Sequence, residues 1–378
     1  MIGKILSPST RRHISNIPGF NIRRKLLVIE SDDWGSVRMP GVQAFDNLMN
    51  AGIDLVSDEG FRFNKYDSLA TSDDLSFLLE LLSSFKDCTN RPAVLTPVSV
   101  MANPNFEQIK ENGFNTYSFE PFTETLNRYQ GCESSYALWL QGIENRLFVP
   151  QFHGREHLNV LPWLRALKSG HKNTLLAFDN QLWGISTAQD PDIGLEYQAA
   201  FDFRQVEDLE YQKEVIRTGL DLFEQLLGYR ASFFVPPNGP FSKKLEESCV
   251  SSGIKFLSTS KVQDEPVGNG KTNKRIHWSG QKSKNGLIYL TRNCFFEPSD
   301  SGKDWVDSCL SEIASAFKWR KPAVISSHRV NYVGGLDVQN RSRGLKQLEQ
   351  LLKQITKTWP DVEFITSEEL GKIVANGS

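Results

Sequence analysis

Short apolar segments alternate with longer amphipathic segments along most of the chain, and this alternation constrains the fold more than any other feature. The apolar segments are bounded by proline, glycine or polar residues and read RKLLVIESDD, RPAVLTPVSVMA, RLFVPQFH, RASFFVPPNG, GIKFLSTS, LIYLTRN, KPAVISSH and DVEFITS. Short, continuous apolar runs of this kind are typical of strands that are buried on both faces.

The segments between these strands carry apolar residues at helical spacing. They are DDLSFLLELLSSFK after a cap-like Ser72–Asp73 pair, QVEDLEYQKEVIRTGLDLFEQLLG ending at Gly228, SKKLEESCVSSG ending at Gly253, DWVDSCLSEIASAFK, and RGLKQLEQLLKQITKTW. Strands that alternate with helices predict an α/β fold with parallel strands wrapped by helices, either a barrel or an open sheet.

The composition excludes several classes of protein. The 378 residues are 39% hydrophobic and 23% charged with a net charge of -2, which gives no reason to expect a nucleic-acid or anionic-membrane partner. The five cysteines show no C-x-x-C spacing, so neither a disulfide framework nor a cysteine zinc site is indicated. We see no signal peptide and no apolar run of membrane-spanning length, and we therefore expect a cytoplasmic protein with reduced thiols.

Polar residues end several of the predicted strands, where the active sites of α/β barrels gather. Asp32 and Asp33 end the first strand, His153 and His157 follow the third, and His328 ends KPAVISSH. On a helical turn, histidines four residues apart face the same side and can reach one metal ion. The ordinary alternatives are helix caps or turns for the aspartates, and hydrogen-bonded buried side chains for the histidines.

Two adjacent carboxylates can divide the work of a metal hydrolase, because one binds the metal ion while the other addresses its water ligand. Asp33, His153 and His157 would form a set of two histidines and one carboxylate, which suits zinc or another divalent transition metal and leaves coordination positions open. His328 could act as a general acid, since the pKa of histidine lies near neutrality. A carboxylate such as Asp304 would favour its protonated form.

The order of these motifs resembles that of the NodB-type polysaccharide deacetylases, carbohydrate esterase family four. The motifs are Asp-Asp, H-x-x-x-H, an aromatic residue before Pro-Pro-x-Gly, Asp-Trp, and a histidine that closes an apolar strand. The resemblance implies a distorted (β/α) barrel of about seven parallel strands. It places a single NodB-like domain at 25–374, after an N-terminal extension at 1–24 and with insertions near 40–75, 105–135 and 260–285.

The resemblance also implies an activity, the metal-dependent removal of N-acetyl groups from an amino-sugar-containing glycan or glycan precursor, as in polysaccharide biosynthesis. The cofactor would be one divalent transition metal ion, zinc first, with Co²⁺, Ni²⁺ or Fe²⁺ as alternatives. The implied roles are general base for Asp32, metal ligand for Asp33, His153 and His157, general acid for His328, and support of that acid for Asp304.

The expected substrate contacts come from two segments. The resemblance implies that the backbone around Pro237 and Asn238 binds the oxyanion and that Trp305 forms an aromatic wall of the acetyl pocket. The segment HRVNYVGG adds Arg329 and Tyr332 as residues that could line the rim.

The chain departs from the family pattern at the turn after the fourth strand. Val235 stands where the family usually has an arginine that braces the base, and Asn238 where it usually has a tyrosine. The brace could instead come from Arg155, Arg230 or Arg329.

The missing arginine keeps open a catalytically silent sugar-binding relative, and the same fold could serve an O-acetyl esterase. An iron(II) oxygenase would use the two histidines and Asp33, but it conflicts with the neighbouring Asp32 and with a parallel barrel. A two-carboxylate glycosidase would leave the histidine pair without a role.

Overall fold

The computed structural model describes residues 14–57, 60–187 and 189–377. Most of the N-terminal extension expected at 1–24 therefore lies outside the described residues, and so do positions 58–59 of the insertion expected near 40–75. In the described ranges, no helix combines the length and the apolar character that a membrane crossing requires.

Each apolar segment that was predicted to be a strand contains one. In chain order the strands are β1 (Lys25–Trp34), β2 (Leu95–Val100), β3 (Ala102–Pro104), β4 (Phe119–Pro121), β5 (Gln151–Gly154), β6 (Phe233–Phe234), β7 (Phe256–Ser258), β8 (Val262–Gly268), β9 (Lys271–Ile276), β10 (Ile288–Leu290), β11 (Cys294–Phe295), β12 (Ala323–His328) and β13 (Val362–Phe364). β3 pairs with β4 and β8 with β9 as antiparallel two-stranded sheets; β8 and β9 lie within the insertion expected near 260–285, and β4 lies within the one expected near 105–135, whereas β3 precedes it.

Helices separate most strands of the main sheet, as the periodicity predicted, except from β7 to β11. They are α1 (Val42–Asn50), α2 (Phe61–Tyr66), α3 (Ser72–Ser84), α4 (Phe106–Glu111), α5 (Phe122–Leu126), α6 (Ser135–Glu144), α7 (Val160–Lys168), α8 (Lys172–Asp179), α9 (Asp208–Leu227), α10 (Glu246–Ser251), α11 (Trp305–Lys318), α12 (Val338–Thr358) and α13 (Ser367–Gly377). The predicted end of α9 at Gly228 is confirmed, with glycine in the left-handed conformation. The cap of α3 is Thr71, one residue before the predicted pair.

The main sheet has nine strands, and its neighbours follow the order β10-β7-β6-β5-β2-β1-β12-β11, with β13 beside β1. All these pairings are parallel. The sheet curls into a half-barrel flanked by helices, which confirms the distorted (β/α) barrel. β10 and β11 lie at opposite ends of this path although only Thr291–Asn293 separate them in the chain, so this short segment connects the two ends of the sheet.

The burial of β1 explains its continuous apolar run. Leu27 and Ile29 belong to the large hydrophobic core that includes the surrounding helices, whereas Leu26 and Val28 belong to a separate buried cluster. Because side chains alternate along a strand, the face that carries Leu26 and Val28 continues to Glu30 and then to Asp32. One face of a single strand therefore changes from apolar to acidic at its carboxyl end.

Gly344 allows α12 to pack closely against the segment that follows β12. A Cβ atom at this position would lie 1.7 Å from the backbone oxygen of Asn331. We expect Gly344→Ala to lower the free energy of unfolding by roughly 3 kcal/mol, because the helix must move away. Urea denaturation measures the change. The control is Ser342→Ala on the exposed side of the same helix, expected within about 0.5 kcal/mol of wild type, and equal stability of both variants would contradict the close packing.

Candidate metal centre

A bulge at the end of β1 turns two consecutive carboxylates in different directions. The register with β2 shifts between Ser31 and Trp34, and Asp33 has a φ of 74°, in the left-handed region. Aspartate enters this region more readily than most residues, since its short polar side chain can form local hydrogen bonds. Asp32 continues the inward face of β1, whereas Asp33 turns towards β5.

Asp33 meets both predicted histidines. Its Oδ1 atom lies 3.0 Å from Nε2 of His157 and 3.5 Å from Nε2 of His153. All three side chains are buried, and one ligand atom from each lies within 4.8 Å of the others. The predicted set of two histidines and one carboxylate is therefore brought together.

The histidines do not share a helical turn, and that part of the prediction is wrong. His153 belongs to β5, and His157 lies in the loop after it. Gly154, with a φ of 122°, turns the chain between them so that the ring centroids are 5.1 Å apart. The strand end and the glycine turn therefore bring the two imidazole rings together, as the four-residue spacing would in a helix.

The hydrogen bonding of this cluster fits a cation. Nδ1 of His153 lies 2.7 Å from the backbone oxygen of Val235, which can only accept, so Nδ1 carries a hydrogen and Nε2 is the nitrogen that faces Asp33. Burial lowers the pKa of His157 to about 4, so the His157 ring is neutral at neutral pH. A carboxylate oxygen and two imidazole Nε2 atoms that converge in a buried site can together bind one cation. The donor set suits a divalent transition metal ion.

Asp32 is held by Arg292 and not by any arginine proposed from the sequence. The guanidinium Nη1 and Nη2 donate to the two Asp32 oxygens at 2.6 and 2.5 Å, and Nε donates to Glu30 at 2.5 Å. Burial would raise the pKa of Asp32, but Arg292 and the nearby histidines keep that pKa below its usual value. Asp32 is therefore ionised at neutral pH.

The proposed alternatives are engaged elsewhere. Their partners are Glu156 for Arg155, Asp221 and Glu224 for Arg230, and Asp67 for Arg329. Arg292 lies near the end of the predicted strand segment LIYLTRN, and in the structure it belongs to the three-residue connection between the ends of the sheet. Its place at a strand end was the only sequence signal that could have indicated it.

His328 ends β12 on the other side of Asp32. Its Nε2 atom lies 4.0 Å from Oδ2 of Asp32, and its Nδ1 atom lies 2.6 Å from Oε1 of Glu297. Burial would lower the pKa of His328, but the charge and hydrogen bond of Glu297, together with the two aspartates, raise it to about 9. The imidazole is therefore protonated at neutral pH, with one N–H directed towards the space beside Asp32.

Glu297 takes the place that the sequence analysis assigned to Asp304, and that assignment is wrong. Asp304 is exposed and caps α11, where its side chain accepts a hydrogen bond from the N–H of Asp307 at 2.9 Å. The Asp-Trp pair therefore serves the start of a helix. Sequence reasoning missed Glu297 because it follows a two-residue strand, β11, that has no recognisable pattern.

Three of the expected substrate contacts also lie outside the site. The indole N–H of Trp305 donates to the backbone oxygen of Asp300 at 2.6 Å. Arg329 and Tyr332 are fully buried, the former paired with Asp67 and the latter 2.8 Å from the Ser327 hydroxyl. None of the three lines the cavity beside the metal centre, because burial directs their side chains into the core.

The metal centre, Asp32 and His328 line a cavity of about 730 Å³, a size typical of small-molecule sites. Asn238 also lines it, whereas Pro237 does not. Both occupy the centre of a turn closed by a 3.1 Å hydrogen bond from Gly239 to Pro236, with a φ of 55° at Asn238. Farther from the metal centre, the walls include Thr259, Lys261, Asn293 and Glu312.

Comparisons by sequence found no family model and no curated protein that match this chain. Solved structures do match. A candidate glycoside hydrolase/deacetylase from Parabacteroides distasonis has a TM-score of 0.50 at 9% identity, covering 94% of this chain and 72% of that one. Candidate polysaccharide deacetylases from Pseudomonas aeruginosa (0.46, 11%, 93% and 91%) and Mycobacterium smegmatis (0.43, 10%, 95% and 93%) also match. At such identities the likeness shows the fold alone, which this chain shares with the candidate glycoside hydrolase/deacetylase.

We expect Arg292→Met to lower the free energy of unfolding by roughly 3–5 kcal/mol at pH 7, because Glu30 and Asp32 would remain buried without their cation. Without Arg292 the folded-state pKa of Asp32 rises above its unfolded value and the already raised pKa of Glu30 rises further, so the loss should shrink as the pH falls towards about 4. Denaturant unfolding at the two pH values measures this. Arg230→Met, which removes ion pairs to exposed carboxylates and one hydrogen bond to the backbone oxygen of Ser252, should cost less than about 2 kcal/mol, and equal losses in both variants would refute the special role of Arg292.

Proposed function

We propose that this protein is a metal-dependent hydrolase that removes N-acetyl groups from an amino sugar, free or within a glycan or glycan precursor. The proposal rests on one observation, the convergence of Asp33, His153 and His157 beside an ionised Asp32 and opposite a protonated His328. The NodB-type fold supports it by analogy.

Asp33, His153 and His157 would hold one divalent transition metal ion, with zinc as the first choice. When bound, such an ion polarises a carbonyl group and lowers the pKa of a water ligand. Asp32 accepts the proton of the attacking water, and the guanidinium of Arg292 keeps it ionised for this purpose. Both Asp32 oxygens bind Arg292, but each carboxylate oxygen has a second lone-pair direction available.

His328 supplies the proton that the leaving amine needs. Its raised pKa keeps it protonated at the pH at which Asp32 is ionised. The base is therefore deprotonated and the acid protonated at the same pH, as the reaction requires. The backbone N–H of Asn238 would stabilise the oxyanion from the cavity wall. Amide cleavage depends on protonation of the leaving nitrogen more strictly than ester cleavage does, so the protonated His328 favours an N-acetyl over an O-acetyl substrate.

The catalytically silent alternative loses its main support. That alternative rested on the missing arginine before the Pro-Pro turn, and Arg292 braces Asp32 from the connection between β10 and β11. The parallel half-barrel also differs from the jelly-roll fold that an iron(II) oxygenase would require. A cytoplasmic location stays a prediction, and it would favour a soluble or lipid-linked sugar precursor.

Metal content and acetate release together test the proposed function. Purified protein should hold about one equivalent of a divalent transition metal and release acetate from at least one member of a panel of N-acetylhexosamine glycans. Asp33→Ala and His157→Ala should lose both the metal and activity by about a hundredfold or more. The matched control is His171→Ala, whose partner Asp190 lies outside the cavity. If the two ligand variants keep metal and activity, the assignment is wrong.

Glu297→Gln should shift the alkaline limb of the pH dependence of kcat/KM to lower pH by about 1–3 units. The negative charge that stabilises the His328 imidazolium is lost, so the pKa of His328 falls and the acid deprotonates earlier. The pH–rate profile of acetate release measures the shift. Asp304→Asn, which keeps the helix cap, should leave the profile unchanged, and a shift in this control instead would restore the assignment from the sequence.

A further inference from the structure

Arg38 directs a positive charge into the cavity without a carboxylate partner. The side chain is only 6% exposed and lines the cavity beside the metal centre. Its Nη2 atom donates a hydrogen bond to Oε1 of Gln198, a neutral group, at 3.0 Å. In the described part of the chain, no carboxylate lies within ion-pair distance of this guanidinium, although the charges of Asp33, Asp67 and Glu196 act on it from farther away.

The other arginines of this region are paired. Arg292 binds Asp32 and Glu30, and Arg62 donates to Glu297 at 2.5 Å. The more distant carboxylates near Arg38 are also engaged: Asp67 is paired with Arg329, Asp33 belongs to the metal centre, and Glu196 accepts hydrogen bonds from the segment at 186–187. Buried charges are normally paired, so an unpaired buried arginine that faces a cavity indicates that its counter-ion comes with the ligand.

The guanidinium is held in a fixed position. It lies 5.4 Å from the ring centroids of both Phe63 and Trp183. The Gln198 amide is oriented in turn, because its Nε2 donates to the backbone oxygen of Gly184 at 2.8 Å. A rigid, planar guanidinium with unused N–H groups is well suited to two-pronged binding of a carboxylate or phosphate.

The aromatic neighbours of Arg38 also contact one proposed metal ligand and the proposed acid. Trp183 stacks on His157 with centroids 5.8 Å apart, and Phe63 meets His328 edge-on at 5.4 Å. Arg38 therefore lies between the metal centre and the acid, close to the bond that would be cleaved. A charge on the same sugar residue as the acetyl group is within the reach of such a position.

We propose that Arg38 binds an oxyanion on the acetylated sugar, a carboxylate or a phosphate, so that the substrate is an acidic amino sugar. This inference rests on the proposed function for the identity of the reaction. Charge-assisted hydrogen bonds to an oxyanion correspond to an affinity difference of about tenfold to a hundredfold between acidic and neutral sugars.

The test compares three probes: N-acetylglucosamine, its C6 carboxylate N-acetylglucosaminuronate, and N-acetylglucosamine 1-phosphate. We expect wild type to release acetate from one acidic probe with a kcat/KM at least about tenfold above that of the neutral probe. Arg38→Met should abolish this preference, mainly through a higher KM for the acidic probe, so that kcat/KM for the acidic probe falls to about that for the neutral probe. Whether the carboxylate or the phosphate is preferred identifies the source of the oxyanion.

Calorimetric binding of the same probes separates this inference from the proposed function. If no probe is hydrolysed but an acidic one binds more tightly than the neutral one in an Arg38-dependent manner, the inference stands and the proposed reaction fails. Arg38→Lys keeps the charge without the planar fork, so it should weaken acidic binding by about tenfold and carries the test if Arg38→Met does not fold.

The control is Arg217→Met, which removes the same charge from the exposed side of α9 and should not alter the preference. Thermal unfolding and metal content establish that each variant is folded. Equal weakening of acidic and neutral probes, or no preference in wild type, overturns the inference.

Discussion

The divergence of Asp32 and Asp33 at the end of β1 is the constraint on which the rest of the site depends. Two adjacent carboxylates in a regular strand would point to opposite faces, one of them into the helical layer. The left-handed conformation at Asp33 turns its side chain towards β5 instead, at a cost of about 1–3 kcal/mol for a residue other than glycine. One carboxylate thereby joins the histidines while its neighbour stays on the inner face.

The charges of the site are held by partners from distant parts of the sheet. Arg292 comes from the segment that connects the two ends of the sheet, and it joins Asp32 and Glu30 of β1. Glu297, which follows β11, orients His328, and Asn331 donates to Glu297 at 2.8 Å. Residues near the two ends of the sheet therefore also set the pKa values of the ionisable groups in the site.

The charged groups that line the cavity near the metal centre differ in whether they have a counter-ion within the protein. Asp32 is compensated by Arg292, and His328 by Glu297, so the proposed base and acid each have a built-in counter-ion. Arg38 has no counter-ion within ion-pair distance among the described residues. Its aromatic neighbours hold it beside His157 and His328. This asymmetry distinguishes groups that serve the reaction from a group that awaits a ligand.

The sequence alone determined eight of the nine strands of the main sheet, the main helices and the two motifs on which the metal centre depends, because these follow from local hydrophobic periodicity and short spacing. It also predicted that strand ends would bring Asp33, His153 and His157 together, since the carboxyl ends of parallel strands share one edge. The assignment of Asp304 was wrong because a short motif does not distinguish a helix cap from the partner of a catalytic histidine. Its mistaken assignment came from the position of Asp-Trp in the chain.

Only the tertiary structure decided which arginine braces Asp32 and which carboxylate orients His328. Arg292 and Asp32 are 260 positions apart, and Glu297 and His328 are 31 apart, so no local pattern records either pair. Arg38 likewise carries no motif, and its importance lies in the absence of a nearby carboxylate within the described residues. Ion pairing between distant segments depends on how the sheet curls, and this curvature results from the packing of the whole chain rather than from any single segment.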